Sequence, residues 1–147
     1  MDKVALLPAG DRRDLFTASA DAKGIHPAII EKDFWVCWVL KHLFASTELG
    51  EHLVFKGGTS LSKVFGLIAR FSEDIDLVLN WELLGYGNEG TDPWEEQPSK
   101  NRQNKFNQAF DELAAKFIAE KLHPYVADLL ATCPDVRTAI QEPTKQI

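Results

Sequence analysis

The chain has 147 residues, 45% apolar and 26% charged, which is enough for an ordinary folded core and too apolar for a chain disordered throughout. Its formal net charge of −6 argues against a broad nucleic-acid-binding surface, while leaving a local basic cleft open. No apolar run approaches the roughly 18 residues of a membrane span, and the opening MDKVALLPAGDRRD lacks the apolar segment of a secretory signal.

Read as a single domain over residues 1–147, the chain divides into N-terminal helices (1–50), a central core (51–80), a loop (81–104) and C-terminal helices (105–140). Residues 11–23 form the first expected helix, with Asp11 as a candidate N-cap and Gly24 as its stop. Pro27 suits the first position of a second helix over 27–45. Apolar residues cover nearly its whole circumference, so burial on all sides is expected, yet Glu31, Lys32 and Asp33 interrupt it. Trp35 and Trp38 fit a core better than a base-stacking platform. Cys37 lies between Val36 and Trp38 and reads as a buried thiol. It is distant from Cys133 and neither belongs to a C-x-x-C pattern, which points to a reduced, cytoplasmic protein.

His52–Lys56 reads as a short strand, followed by the turn Gly57-Gly58-Thr59-Ser60 and a helical stripe at Leu61, Val64, Phe65 and Ile68. A loop over 70–73 leads into DIDLVLN, where Ile75, Leu77 and Leu79 face one side and Asp74, Asp76 and Val78 the other. The following 81–104 stretch is polar and glycine-rich. Phe106, Phe110, Leu113 and Phe117 then mark an amphipathic helix, and Pro124 and Pro134 bracket a shorter one. The four histidines have no metal-ligand spacing.

The chemistry concentrates between residues 55 and 79. A strand–glycine–helix turn lets backbone amides approach a phosphate at a helix N-terminus, although the same sequence also serves as a plain tight connection. Ser62, not glycine, precedes Lys63, so the turn is not a P-loop. Asp74 and Asp76 share a strand face, where two carboxylates repel one another unless a cation intervenes. Mg²⁺ commonly binds through one or two carboxylates plus substrate phosphates; a solvated strand face is the alternative. Fifteen residues separate Gly58 from Asp74, room for one helix and a return loop. Antiparallel or mixed pairing of the flanking strands would bring turn and aspartates to one end of a sheet, the layout of metal-assisted phosphoryl or nucleotidyl transfer.

The string FKGGTSLSKVF…RFSEDIDL resembles the AbiEii/AbiGii-type toxins of bacterial toxin–antitoxin and phage-abortive systems, within the polymerase-β-like nucleotidyltransferase superfamily. Lys56, Gly57, Gly58, Thr59, Leu61 and Lys63 match one half of that pattern, and Arg70, Ser72, Asp74, Ile75 and Asp76 the other. The upstream IEKDFWV is similar too, so the likeness spans about residues 25–80. The resemblance implies an α+β fold with a polymerase-β-like core, a small mixed sheet flanked by helices. It also implies an NTP donor, Mg²⁺, an acceptor such as tRNA or another RNA, and a cognate antitoxin. On it, Asp74 and Asp76 are catalytic and hold the metal. Gly57, Gly58, Thr59 and Ser60 hold the triphosphate. Lys63 neutralises phosphate charge or is simply solvated. Arg70 and Ser72 shape the loop, a plain surface Arg70 being the alternative. Lys32 and Asp33 border the cleft or form an internal ion pair.

Later strands of that superfamily supply a third carboxylate, and none is evident after residue 80. A truncated or catalytically incomplete member is therefore one expectation, and an inactive nucleotidyltransferase-fold module for binding or dimerisation another. A D-x-D glycosyltransferase using a nucleotide sugar is a further alternative, but it gives the glycine turn no task. Four Trp and nine Phe leave apolar surface for a homo-oligomer.

Overall fold

The computed structural model describes residues 1–58, 60, 64, 66, 75–88, 91, 92, 95 and 97–136, with the backbone alone at Leu83. Its elements are α1 (Asp2–Ala5), α2 (Ala9–Lys23), α3 (Pro27–Ala45), β1 (Leu53–Lys56), β2 (Asp76–Leu79), α4 (Lys100–Phe117) and α5 (His123–Ala131). Short 3₁₀ turns precede β1 at Gly50–His52 and follow β2 at Trp81–Leu84, and a π-helical stretch at Ile118–Leu122 joins α4 to α5.

The helix ends follow local chemistry. Gly24, with φ +65°, closes α2 in the left-handed conformation that glycine adopts without steric penalty. Pro27 starts α3, and the His26 ring accepts from the Ala28 N–H at 3.2 Å. α2 begins earlier than expected, after Pro8, so Asp11 lies within the first turn and does not cap it. α4 begins at Lys100 because Ser99 accepts from the Arg102 N–H. Within the expected loop before it, the 3₁₀ turn at Trp81–Leu84 lies against that helix. Gly85 turns the chain at φ +83°, and Tyr86 packs its ring 5.1 Å from Phe106 and 5.2 Å from Phe110.

Among the described residues, two apolar clusters hold these elements. Ala5, Trp38 and Cys133 form one, flanked by Phe34, Trp35, Leu129 and Leu130. Leu43, Leu49 and Leu53 form the other, joined by Leu77, Leu79, Phe117 and Tyr125, so the sheet rests on α3 and the C-terminal helices. α3 threads both clusters, which explains its apolar sequence. It is nonetheless not buried all round: Val36, Trp38 and Leu43 are buried, whereas Ile29 and Phe44 reach solvent. The two tryptophans belong to the core, as expected. Both cysteines are free; Cys133 is the buried one and Cys37 is half-buried.

Polar anchors close the N-terminal end. The Asp2 carboxylate accepts from Trp38 Nε1 at 2.9 Å, pairs with Lys41 Nζ at 2.5 Å and lies 3.1 Å from His42 Nε2. The hydrogen bond from Lys41, and then that from His42, hold this carboxyl well below the usual carboxylate range. Arg12 is buried, and its guanidinium donates to the carbonyls of Ala5, Leu7 and Pro134.

Candidate functional site

β1 and β2 pair antiparallel, with Leu53 opposite Leu79, Val54 opposite Val78, Phe55 opposite Leu77 and Lys56 opposite Asp76. Side chains alternate along each strand. Leu53, Leu77 and Leu79 turn inward to the core, and Val54, Lys56, Asp76 and Val78 share the other face. That face opens to solvent: Val54 is 55% exposed, and Lys56 and Asp76 are both exposed. The ladder continues one step past Leu79, where the Asn80 N–H donates to the His52 carbonyl at 2.8 Å. An antiparallel register puts the C-terminal end of one strand beside the N-terminal end of the next. The end of β1 and the start of β2 therefore coincide, so the residue after Lys56 meets Asp76.

That residue is Gly57, with φ +78°. A Cβ built there would lie 1.9 Å from Asp76 Oδ2 and 2.8 Å from its carboxyl carbon. Glycine is thus needed twice at this position, for its backbone conformation and for the space that the carboxylate occupies. The chain is helical at residues 57, 58 and 60, and the Val64 N–H donates to the Ser60 carbonyl at 3.0 Å. The glycine turn and the acidic strand therefore meet at one corner, with the Asp76 carboxylate packed against Gly57.

Of the residues expected at the site, the structure brings Gly57, Gly58 and Asp76 to this corner. Ser60 follows them in the helical turn but is buried, at 5% exposed, so its hydroxyl is not presented to solvent. Asp74, Thr59, Lys63, Arg70 and Ser72 lie outside the described residues. Lys32 is exposed and Asp33 half-buried on α3. Asp33 lines an apolar cavity of about 390 Å³ whose described walls come from Met1 and from α1, α2 and α3, including Val4, Phe16, Phe34 and Cys37. No residue of the glycine turn or of β2 is among those walls. Among the described residues no group of three or more His, Cys, Asp or Glu side chains could hold a metal ion.

Lys56 is the residue at this corner to which the sequence pattern alone gives no role. Its place opposite Asp76 follows only from the strand register, which a sequence of two short strands leaves open.

No curated protein and no solved structure matches the chain. A small sheet flanked by helices, with a glycine turn and an acidic strand at one end, agrees with the polymerase-β-like nucleotidyltransferase fold. Residues 38–133 match the family described as nucleotidyl transferase AbiEii toxin, type IV TA system, a span that contains the whole corner and extends through both C-terminal helices. With about two thirds of its length matched, the chain belongs to the AbiEii family of nucleotidyltransferase toxins.

Proposed function

We propose that this protein transfers a nucleotide from an NTP to an acceptor hydroxyl, such as the 3′ end of a tRNA, in a Mg²⁺-dependent reaction. The observation that supports this most directly is the contact of Asp76 with Gly57, which sets a carboxylate against the first glycine of the turn. Hard carboxylate oxygens at an exposed corner suit Mg²⁺, which completes its shell with phosphate oxygens and water. A full protein cage is not needed for such a site. Asp74 and Asp76 would hold the ion, and its chemistry there would be Lewis-acid neutralisation of phosphate charge.

The amides of Gly57, Gly58 and Thr59 would receive the triphosphate, aided by the helix dipole. Ser60 would serve this turn through its backbone, since its side chain is buried. Lys63 would add positive charge, Arg70 and Ser72 would shape the approach to the aspartates, and Lys32 and Asp33 would border the cleft. In the transfer, the acceptor oxygen attacks the α-phosphorus. The bond to the α,β-bridging oxygen breaks, pyrophosphate leaves, and the hydroxyl proton passes to a base or to water. The whole chain would act as one cytoplasmic domain, restrained by a cognate antitoxin.

Incubation with each labelled NTP, Mg²⁺ and total tRNA tests this. Label transfer that disappears in Asp76→Ala is the expected result. NTP binding without transfer to any RNA would instead favour a nucleotide-binding module, and no NTP binding would defeat the proposal.

A further inference from the structure

Lys56 stands directly across the strand pair from Asp76, on the same exposed face. Directly opposed residues have Cβ atoms about 5 Å apart. A lysine and an aspartate so placed would ordinarily be expected to pair. Among the described residues, however, no ion pair or hydrogen bond joins Lys56 to Asp76. The Asp76 carboxylate turns instead over Gly57. The corner therefore presents a cation and an anion side by side, each left available for a ligand of opposite sign. A triphosphate–cation complex carries both signs within a few ångströms.

We infer that Lys56 is a phosphate-contacting residue of the nucleotide site, its ammonium meeting the triphosphate while Asp76 faces the cation. This rests on the proposed transfer site and adds to it a residue that the site did not include. Electrostatics supplies the reason. A carboxylate at the mouth of an anion site repels the incoming phosphates, and an ammonium next to it offsets that repulsion without occupying the carboxylate. Lys56 also ends β1, directly before the amides of Gly57 and Gly58, so its charge enters the site from a paired strand. The described residues beyond it on this face, Val54 (exposed) and Val78 (half-buried), carry no charge.

Calorimetric titration of the full chain with ATP, GTP, CTP and UTP, each with Mg²⁺, tests the inference on wild type, Lys56→Gln and Lys56→Arg. For the NTP that binds wild type, Lys56→Gln is expected to weaken affinity about 10-fold or more, the size of a lost charge-assisted contact. Lys56→Arg should stay within about threefold, since a guanidinium also meets phosphate. The glutamine variant should also show a flatter dependence of affinity on salt. A lysine that merely stabilises the strand pair would lower the melting temperature and leave affinity and salt dependence unchanged; that result overturns the inference and leaves the transfer site standing. Failure of wild type to bind any of the four removes the transfer site and Lys56 together.

Discussion

The Asp76 carboxylate occupies the space that a side chain on residue 57 would need: Oδ2 lies 1.9 Å from where the Cβ would be. Gly57→Ala must therefore move the carboxylate or the turn, and it must do so at φ +78°. Strain of this kind costs about 1–3 kcal/mol. Gly24 provides the control, with a similar φ of +65° but open space around it. Gly24→Ala should lower stability by about 1 kcal/mol through backbone strain alone and leave NTP binding unchanged. Gly57→Ala should lower stability and also reduce NTP affinity. Denaturant titration and nucleotide calorimetry on the two variants separate the effects; equal nucleotide affinity in both would show that the carboxylate position is immaterial.

Asp76→Asn retains size and shape at an exposed strand end, so stability should stay within about 0.5 kcal/mol of wild type. Transfer of nucleotide to RNA should nonetheless fall about 100-fold or more, because the amide cannot supply the charge that the carboxylate does. The check is a label-transfer assay beside a melting curve. A large drop in melting temperature would mean instead that Asp76 holds the corner together.

The meeting of turn and acidic strand is readable in the sequence because two short strands joined through one helix-length segment can bring these ends together by antiparallel pairing. The helix boundaries at Gly24 and Pro27 are equally local, each set by one residue's own dihedral preference. Register is not local. The opposition of Lys56 and Asp76 depends on which of several pairings buries Leu53 against Leu77 and Leu79, and that is decided by packing on α3 and α5. The same holds for the cysteines. The apolar neighbours of Cys37 suggest burial, but the helix turns it toward a cavity wall, while Cys133 is covered by Ala5 and Trp38 from the other end of the chain. The polar stretch after β2 conceals Tyr86, whose burial depends on Phe106 and Phe110 about twenty residues later.

Asp2 links stability to pH. Its carboxyl is held below the ordinary aspartate value of about 3.9, first by the hydrogen bond from Lys41 and then by that from His42. A depressed folded-state value means that the native state binds fewer protons than the unfolded chain in this window. The contribution is then fully present above the unfolded value and is lost as pH falls through the folded one. Acidification below about pH 4 should therefore lower the wild-type melting temperature more steeply than that of Asp2→Asn. Parallel curves for the two proteins over that range would show that Asp2 carries no such linkage.

Arg12 joins the two ends of the chain. Its guanidinium donates to the Ala5 carbonyl at 3.2 Å, to Leu7 at 2.8 Å and to Pro134 at 3.0 Å, and lies 5.2 Å from the Trp35 ring centroid. The planar fork satisfies three carbonyls from two distant segments at once, which a lysine ammonium at the end of a flexible stem cannot reproduce. Arg12→Met keeps the apolar stem but leaves those acceptors without their donor, at a cost of about 2–4 kcal/mol. Arg12→Lys should recover only part of that loss. Because Pro134 follows Cys133 directly, release of this end should also uncover the Cys133 thiol, now 4% exposed. Thiol labelling with mass-spectrometric site assignment should find Cys133 protected in wild type and labelled faster in Arg12→Met. Cys37, which lines the cavity between α2 and α3 and is not covered by the C-terminal end, should change much less. Equal labelling of Cys133 in both proteins would mean that the apolar packing against Ala5 and Trp38 holds the C-terminal end without the guanidinium.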